Sequence, residues 1–339
     1  MSGRLGNQMF QYAFARGIQT HFTGELLIDF SRQAATAKAL KKLERDDSGW
    51  SDQLAFFKTK YDSIISKRNT RTSRLLARIE YLAFPQKILY LTHYFVLKKL
   101  LKKFLRARYE DLPFVWKIYS DMLSKCGLYI FPILTGPKIK ENKFSNFLLE
   151  SGFEDSEIFE KMDNNIFQEF APKFPLNPEN ERFLQLISSK NSICVTIRRG
   201  DYLSNEAFSS FFQTDDTYFT KGVQYICEKI ENPYFIFFSD DLEYAKKFAE
   251  NLHLSKGNYS VEREGNSVAE KVKLMSSCKH FIISNSTFSW WCQFLSQNEN
   301  KIVVAPEYWY PNIKKHMPIE QKKWIKIAKT KGESCVQDR

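Results

Sequence analysis

No C-x-x-C pair occurs among the six cysteines, Cys126, Cys194, Cys227, Cys278, Cys292 and Cys335. A structural zinc site is therefore not expected. Cys194 and Cys227 lie among apolar residues and read as buried free thiols, which points to a reducing compartment. There is no low-complexity tract and no fixed-period repeat, so fibrous and solenoid architectures are excluded. Nor is there an uninterrupted apolar run of bilayer length. The nearest, residues 81–101, contains Pro85, Lys87, Lys98 and Lys99. Residues 1–10 have neither a basic start nor an apolar stretch, and no secretory leader is expected. Acidic residues are in deficit, 39 against 50 Lys and Arg, for a net charge of +11. The natural partner of such a chain is an anion: a phosphate, a nucleic acid or an acidic membrane surface.

A length of 339 residues suits two domains. The prolines at 172, 175 and 178 mark the best linker, 171–178, and the expected division is 1–180 and 181–339. In the first part, Met9, Phe10, Ala13, Phe14, Gly17 and Ile18 recur at helical spacing behind a Gly6-Asn7 turn and cap. Residues 25–30 read as a strand. Residues 31–110 are basic and helical in pattern. Leu97, Leu100, Leu101, Phe104 and Leu105 share one face, ringed by Lys98, Lys99, Lys102, Lys103 and Arg106. Residues 97–108 thus read either as a solvated surface helix or as a helix lying on an anionic membrane.

The second part alternates strands and helices: helix 182–189, strand 192–197, helix 217–231, strand 233–239, helix 242–252, helix 267–277, strand 280–284 and strand 301–306. That order predicts a parallel α/β sheet. Three of its strands end in polar groups: Arg198-Arg199-Gly200-Asp201, Ser239-Asp240-Asp241 and Ser284-Asn285-Ser286-Thr287. Ligands of open α/β sheets bind beyond the carboxyl ends of the strands, so the three groups should face one crevice. Arginine offers a planar, permanently charged fork of donors suited to a diphosphate. One charge pair at about 4 Å is worth roughly 4 kcal/mol at an effective dielectric near 20. Ser286 and Thr287, opening a helix, offer hydroxyls and backbone N–H groups to phosphate. Asp240 or Asp241 can accept from a guanine edge or a ribose. Each group also has a blander reading: a surface ion pair for the arginines, helix capping for the aspartates and the Ser-Thr pair, core packing for Trp290-Trp291. A divalent metal on Asp240-Asp241 is not expected, because the arginines would duplicate its charge and no third carboxylate is near in sequence. Near the amino terminus, Gly3 and Gly6 are wrongly spaced for a dinucleotide-binding glycine loop, although Asp29 lies where a ribose-binding acid would.

The stretches G-R-L-G-N-Q-M-F-Q-Y-A (3–13), I-R-R-G-D-Y (197–202), F-F-S-D-D (237–241) and S-N-S-T-F-S-W-W (284–291) resemble, in this order, the bacterial α-1,2-fucosyltransferases of glycosyltransferase family 11. Related motifs occur in α-1,6- and protein O-fucosyltransferases. The resemblance covers residues 3–30 and 190–310 and says little of 31–180. It implies a GT-B fold, two Rossmann-like domains facing a cleft, with the donor in the second domain and the acceptor on the first. It also implies GDP-β-L-fucose as donor, inversion to an α-linkage and no obligatory metal. By position in the motifs, Arg198 and Arg199 hold the diphosphate and Asp240 approaches the guanine or ribose. Ser286, Thr287 and Phe288 lie near the phosphates, and Gly6 and Asn7 approach fucose and diphosphate. Two departures stand out. Thr196 replaces a histidine common in the family, and Met1-Ser2-Gly3 leaves no room for the short strand that usually precedes the glycine loop. The first strand of the amino-terminal sheet is accordingly expected to be missing.

The expected reaction moves L-fucose to the 2-hydroxyl of a terminal galactose in a surface glycan such as an O-antigen. Asp201 is the first candidate for the base and Glu206 the second. The expected setting is cytoplasmic, with peripheral contact to the inner membrane face and no nucleic-acid partner. The competing readings are a transferase of another GDP-sugar or linkage, a non-catalytic sugar-binding module, and a basic nucleic-acid-binding protein.

Overall fold

A computed structural model of the chain describes residues 1–22, 24–42, 49–65, 71–97, 111–130, 139, 144–200, 214–255, 257–310 and 313–328. Two units divide it, Met1–Lys173 and Phe174–Arg339. The division falls inside the proline cluster, ahead of the expected 180/181 boundary. Pro178 does not belong to a linker. It opens the helix Pro178–Ser189, capped by Asn177, whose side chain accepts from the Asn180 N–H. Proline suits a first helical turn because that position has no intrahelical use for its N–H.

The first unit begins with the helix Leu5–His21. Arg4, in extended conformation, precedes it, so Gly6 and Asn7 lie inside the first turn and not ahead of it. The turn before it is made by Gly3, whose φ of +77° favours glycine. The helix buries Met9, Phe10, Tyr12, Ala13, Phe14 and Ile18. Phe14 stacks on Phe153 at 4.1 Å, and Phe10 meets Phe159 edge-on at 5.1 Å. Strands β1 (Leu27–Asp29) and β2 (Ser63–Ile65) pair in parallel, as do β3 (Leu128–Tyr129) and β4 (Leu148–Leu149). The two pairs are separate, and no described strand precedes the first helix. The Met1 amino group donates to the Asp29 carbonyl at 2.6 Å, at the carboxyl end of β1, and burial lowers its pKa to about 6. Helices Arg71–Glu80, Phe84–Thr92 and Phe114–Lys125 surround a small core of Leu82, Tyr90, Leu112, Leu123, Leu128 and Ile130.

The second unit is built on β5 (Asn191–Ile197), β6 (Pro233–Ser239), β7 (Tyr259–Val261), β8 (His280–Ile282), β9 (Val303–Pro306) and β10 (Ile325–Ile327). They form one parallel sheet in the order β10-β9-β8-β5-β6-β7. The apolar runs of β5 and β6 are buried along nearly their whole length, as central parallel strands covered on both faces must be. The helix Asp216–Lys229 reaches the sheet closely at Gly222, where an added Cβ would stand 2.9 Å from Ile282. Trp290 and Trp291 are core residues, and the Trp290 indole donates to the Ile319 carbonyl at 2.6 Å. Cys194 is buried, but Cys227 faces solvent on the outer side of its helix, contrary to its expected burial. No described helix is long and apolar enough to cross a membrane.

Candidate functional site

The strand order fixes where a ligand crevice opens. From β5 the chain winds outward through β6 to β7, then returns to β8 on the other flank of β5 and continues to β9 and β10. The winding direction therefore reverses between β5 and β8. Loops leaving two such strands part in opposite directions and open a crevice at the carboxyl edge. The arginine pair follows β5 and the Ser284–Thr287 turn follows β8. Both stand at that reversal.

Register then determines which polar groups meet. Ile197 pairs with Ser239 at the ends of β5 and β6. The next residues, Arg198 and Asp240, emerge side by side, with Nη1 of Arg198 2.7 Å from Oδ2 of Asp240. The other Asp240 oxygen accepts from the backbone N–H of Arg199 at 2.9 Å. Gly200 is required by this close approach, because a Cβ there would lie 2.7 Å from Asp240 Oδ2. Arg199 turns the other way. Its guanidinium lies over the Tyr244 ring, 3.6 Å from the centroid, with Nε 3.4 Å from Asp241. Tyr244 donates from its hydroxyl to Asp216, and burial pushes its pKa well up.

Asp241 is the helix cap among these acids. It accepts from the Tyr244 N–H at 3.1 Å, and its own N–H donates to Ser239 Oγ at 2.9 Å. So the blander readings hold for part of the cluster, with Asp241 capping and both arginines ion-paired. Asp240 spends both oxygens on the arginine segment.

The third loop joins through Thr196. Its hydroxyl accepts from the Ser284 N–H at 3.0 Å, tying the ends of β5 and β8 together at the reversal. Ser284 Oγ lies 3.2 Å from Ser289 Oγ inside the turn. Ser286 heads the helix Thr287–Phe294, but its side chain does not cap it. That helix starts from the turn that follows β8 at the carboxyl edge of the sheet.

Sequence reasoning missed Glu262, one residue beyond β7. Its side chain is fully buried, receives the Ser239 N–H at 3.0 Å and pairs with Lys271 at 3.1 Å. Burial raises its pKa, with Lys271 opposing. It holds the end of β6 through the Ser239 N–H. The only signal was an acid directly after the short strand Tyr-Ser-Val, too weak to notice alone.

In the first unit, Gln8 is fully buried and holds the glycine turn. Its amide donates to the Gly3 carbonyl at 3.3 Å and to the Ser51 carbonyl at 2.9 Å, and its oxygen accepts from the Gln53 N–H at 3.1 Å. The Gln33 amide also donates to Gly3. Asn7, the residue before Gln8, is partly exposed in the same turn, and Gly6 is buried. Asp29 caps the helix Ser31–Lys42 by accepting from the Ser31 N–H at 2.8 Å. Asp201 and Glu206 lie outside the described residues, as do residues 98–108 of the stretch expected to contact a membrane. Among the described residues, no cluster of three His, Cys, Asp or Glu side chains is placed to hold a metal ion.

Comparison with known proteins bears on the whole chain. The sequence pattern of glycosyl transferase family 11 matches residues 1–328. An alpha-1,2-colitosyltransferase of Escherichia coli is 26% identical over 332 residues, covering 97% of this chain and 98% of its own. The O-antigen biosynthesis glycosyltransferase WbnK of Escherichia coli is 28% identical over 345 residues, covering 96% and 99%. Galactoside 2-alpha-L-fucosyltransferase Sec1 of Mus musculus is 24% identical over 183 residues, which is 50% of this chain and 48% of its own.

Proposed function

The chain belongs to glycosyl transferase family 11, and on that footing we propose that it moves L-fucose from GDP-β-L-fucose to the 2-hydroxyl of a terminal β-galactoside. The observation that carries this reading is the pair Arg198-Arg199 at the winding reversal, bonded to the β6 loop and following Thr196, which ties the end of β5 to Ser284 after β8. A pair of guanidiniums held at the carboxyl edge of the sheet suits a leaving diphosphate.

In the proposed step the galactose O2 attacks the anomeric carbon on the face opposite the diphosphate. The C1–O bond to the β-phosphate breaks, and GDP departs with the electron pair. Arg198 stabilises the growing charge on the diphosphate, and Asp240 holds Arg198 in place. Arg199, fixed on Tyr244, supplies the second positive charge. Ser286, Thr287 and Phe288 contribute N–H and hydroxyl contacts to the phosphates. Gly6 and Asn7 lie in the turn of the first unit that Gln8 secures. The hydroxyl proton passes to a base, for which Asp201 is the proposed group. The two guanidiniums provide the counter-charge, so no metal is required. The acceptor belongs to the first unit and the donor to the second, in the GT-B manner. The product is a surface glycan of the O-antigen kind, as the name of the WbnK relative suggests, made at the cytoplasmic side of the membrane.

A second reading keeps the linkage and changes the donor. It is favoured by the relative named alpha-1,2-colitosyltransferase. One experiment separates the readings: incubation with GDP-fucose or GDP-colitose, a panel of β-galactosides and EDTA, followed by linkage analysis. Fucose on O2 of galactose, formed at full rate in EDTA, is the expected product. Transfer of colitose alone would move the assignment to the second reading. Tight GDP binding without transfer to any acceptor would make the protein a binding module.

A further inference from the structure

Strand β7 stops one bond short of its neighbour. The β6–β7 ladder pairs Phe235 with Tyr259 and Phe237 with Val261, and the Glu262 N–H donates to the Phe237 carbonyl at 2.9 Å. In a regular parallel ladder the Ser239 N–H would next meet the Glu262 carbonyl. It meets the Glu262 carboxylate, whose Oε1 accepts at 3.0 Å. The side chain thus extends the ladder by one bond, at the last residue of β6. Lys271, from the helix Val268–Ser276, donates to the same oxygen at 3.1 Å. The Glu262 side chain has no exposed surface, while that of Lys271 is 26% exposed.

Stability does not account for this arrangement. Apolar residues of the same volume serve a folded core as well as a buried ion pair does, or better. A charge-assisted bond adds a short distance and a fixed direction at the group it holds. That group is the Ser239 N–H, and the Ser239 hydroxyl in turn accepts from the Asp241 N–H at 2.9 Å. The residues on both sides of Asp240 are therefore pinned, Ser239 by Glu262 and Asp241 by Ser239. With its backbone so set, the Asp240 carboxylate spans Nη1 of Arg198 at 2.7 Å and the Arg199 N–H at 2.9 Å. A continuous line of bonds runs from Lys271 through Glu262, Ser239 and Asp240 to the Arg198 guanidinium.

We propose that Glu262 and Ser239 are positioning residues for the sugar-nucleotide diphosphate: they set the backbone at Asp240, and Asp240 sets the Arg198 guanidinium. Neither is assigned a contact with the donor. The proposal rests on the proposed role of Arg198 as the diphosphate ligand and adds the buried support behind it.

The test is calorimetric titration of the full chain with GDP and with GMP, using Glu262→Met and Glu262→Gln, each alone and combined with Asp240→Asn. Methionine keeps the volume and removes the acceptor, whereas glutamine keeps an acceptor oxygen. Glu262→Met is expected to lose roughly tenfold or more in GDP affinity with little change for GMP, and Glu262→Gln to recover to within about threefold of wild type. On the Asp240→Asn background, Glu262→Met should cost less than about threefold more, because both changes act on the same guanidinium. The proposal is overturned if a folded Glu262→Met binds GDP as the wild type does, or if its GDP and GMP affinities fall together. It is equally overturned if the glutamine and methionine variants lose the same amount, or if the loss is undiminished beside Asp240→Asn. If Glu262→Met does not fold, Ser239→Ala and Ser239→Thr, which remove and keep the hydroxyl on Asp241, replace the methionine and glutamine variants under the same criteria. A wild type that binds GDP no better than GMP would overturn the diphosphate reading itself, and this proposal with it, whatever the variants do.

Discussion

Asp240 divides its oxygens between the Arg198 side chain and the Arg199 backbone, and this division gives it a positioning task. Both partners of the ion pair retain some solvent contact, about a fifth to a quarter of each side chain. Pairs of that kind contribute at most about 1 kcal/mol to stability. Their value at a site is geometric, because a displaced guanidinium loses its alignment with the charge it must meet. Asp240→Asn keeps the shape and removes the charge. The expected result is a fall in kcat/KM of roughly tenfold or more for the sugar nucleotide with little change in melting temperature. Unchanged kinetics in a folded variant would reduce the pair to a surface contact. None of this pairing was legible in the sequence. Both residues were singled out for their chemistry, but which acid meets which arginine follows from the register Ile197 to Ser239, and register is a property of two strands.

Strand β8 shows how one element carries a pH dependence. The His280 ring nitrogen Nδ1 accepts from the Ile302 N–H at 3.0 Å, joining β8 to the segment that enters β9. It must be unprotonated to do so. Burial first, and Lys279 second, lower its pKa from the ordinary histidine value. The unfolded chain therefore takes up a proton at a higher pH than the folded one. This group's contribution is intact above about pH 6.5 and is lost as pH falls through the lower folded value. Melting temperature is expected to drop across that acid range, and His280→Asn, which cannot titrate, should flatten the slope even if it lowers stability throughout. An unaltered slope would remove His280 from the account. At this scale the sequence was most informative for long apolar runs. β5 and β6 were recognisable because central parallel strands are buried on both faces. β7 and β10, reading Tyr-Ser-Val and Ile-Lys-Ile, were not recognised. Three mixed residues at a sheet edge carry too little periodicity to separate them from a loop.

For the whole molecule, the second unit was more legible than the first. Three polar strand ends and the family motifs led to one sheet edge, and the strand order puts the reversal of winding between two of them. The weaker expectations came from residues 31–180, where the helices are short and basic and the strands β1 to β4 hold two or three residues each. Strands that short carry too little periodicity to be told from loops in the sequence. The central claim concerns the crevice, and calorimetric titration of wild type and Arg198→Ala with GDP and with GMP tests it most directly. The account predicts that the wild type binds GDP much more tightly than GMP, and that the folded variant loses roughly tenfold or more of its GDP affinity while GMP binding changes little. Equal affinity of the variant and the wild type for GDP would contradict it.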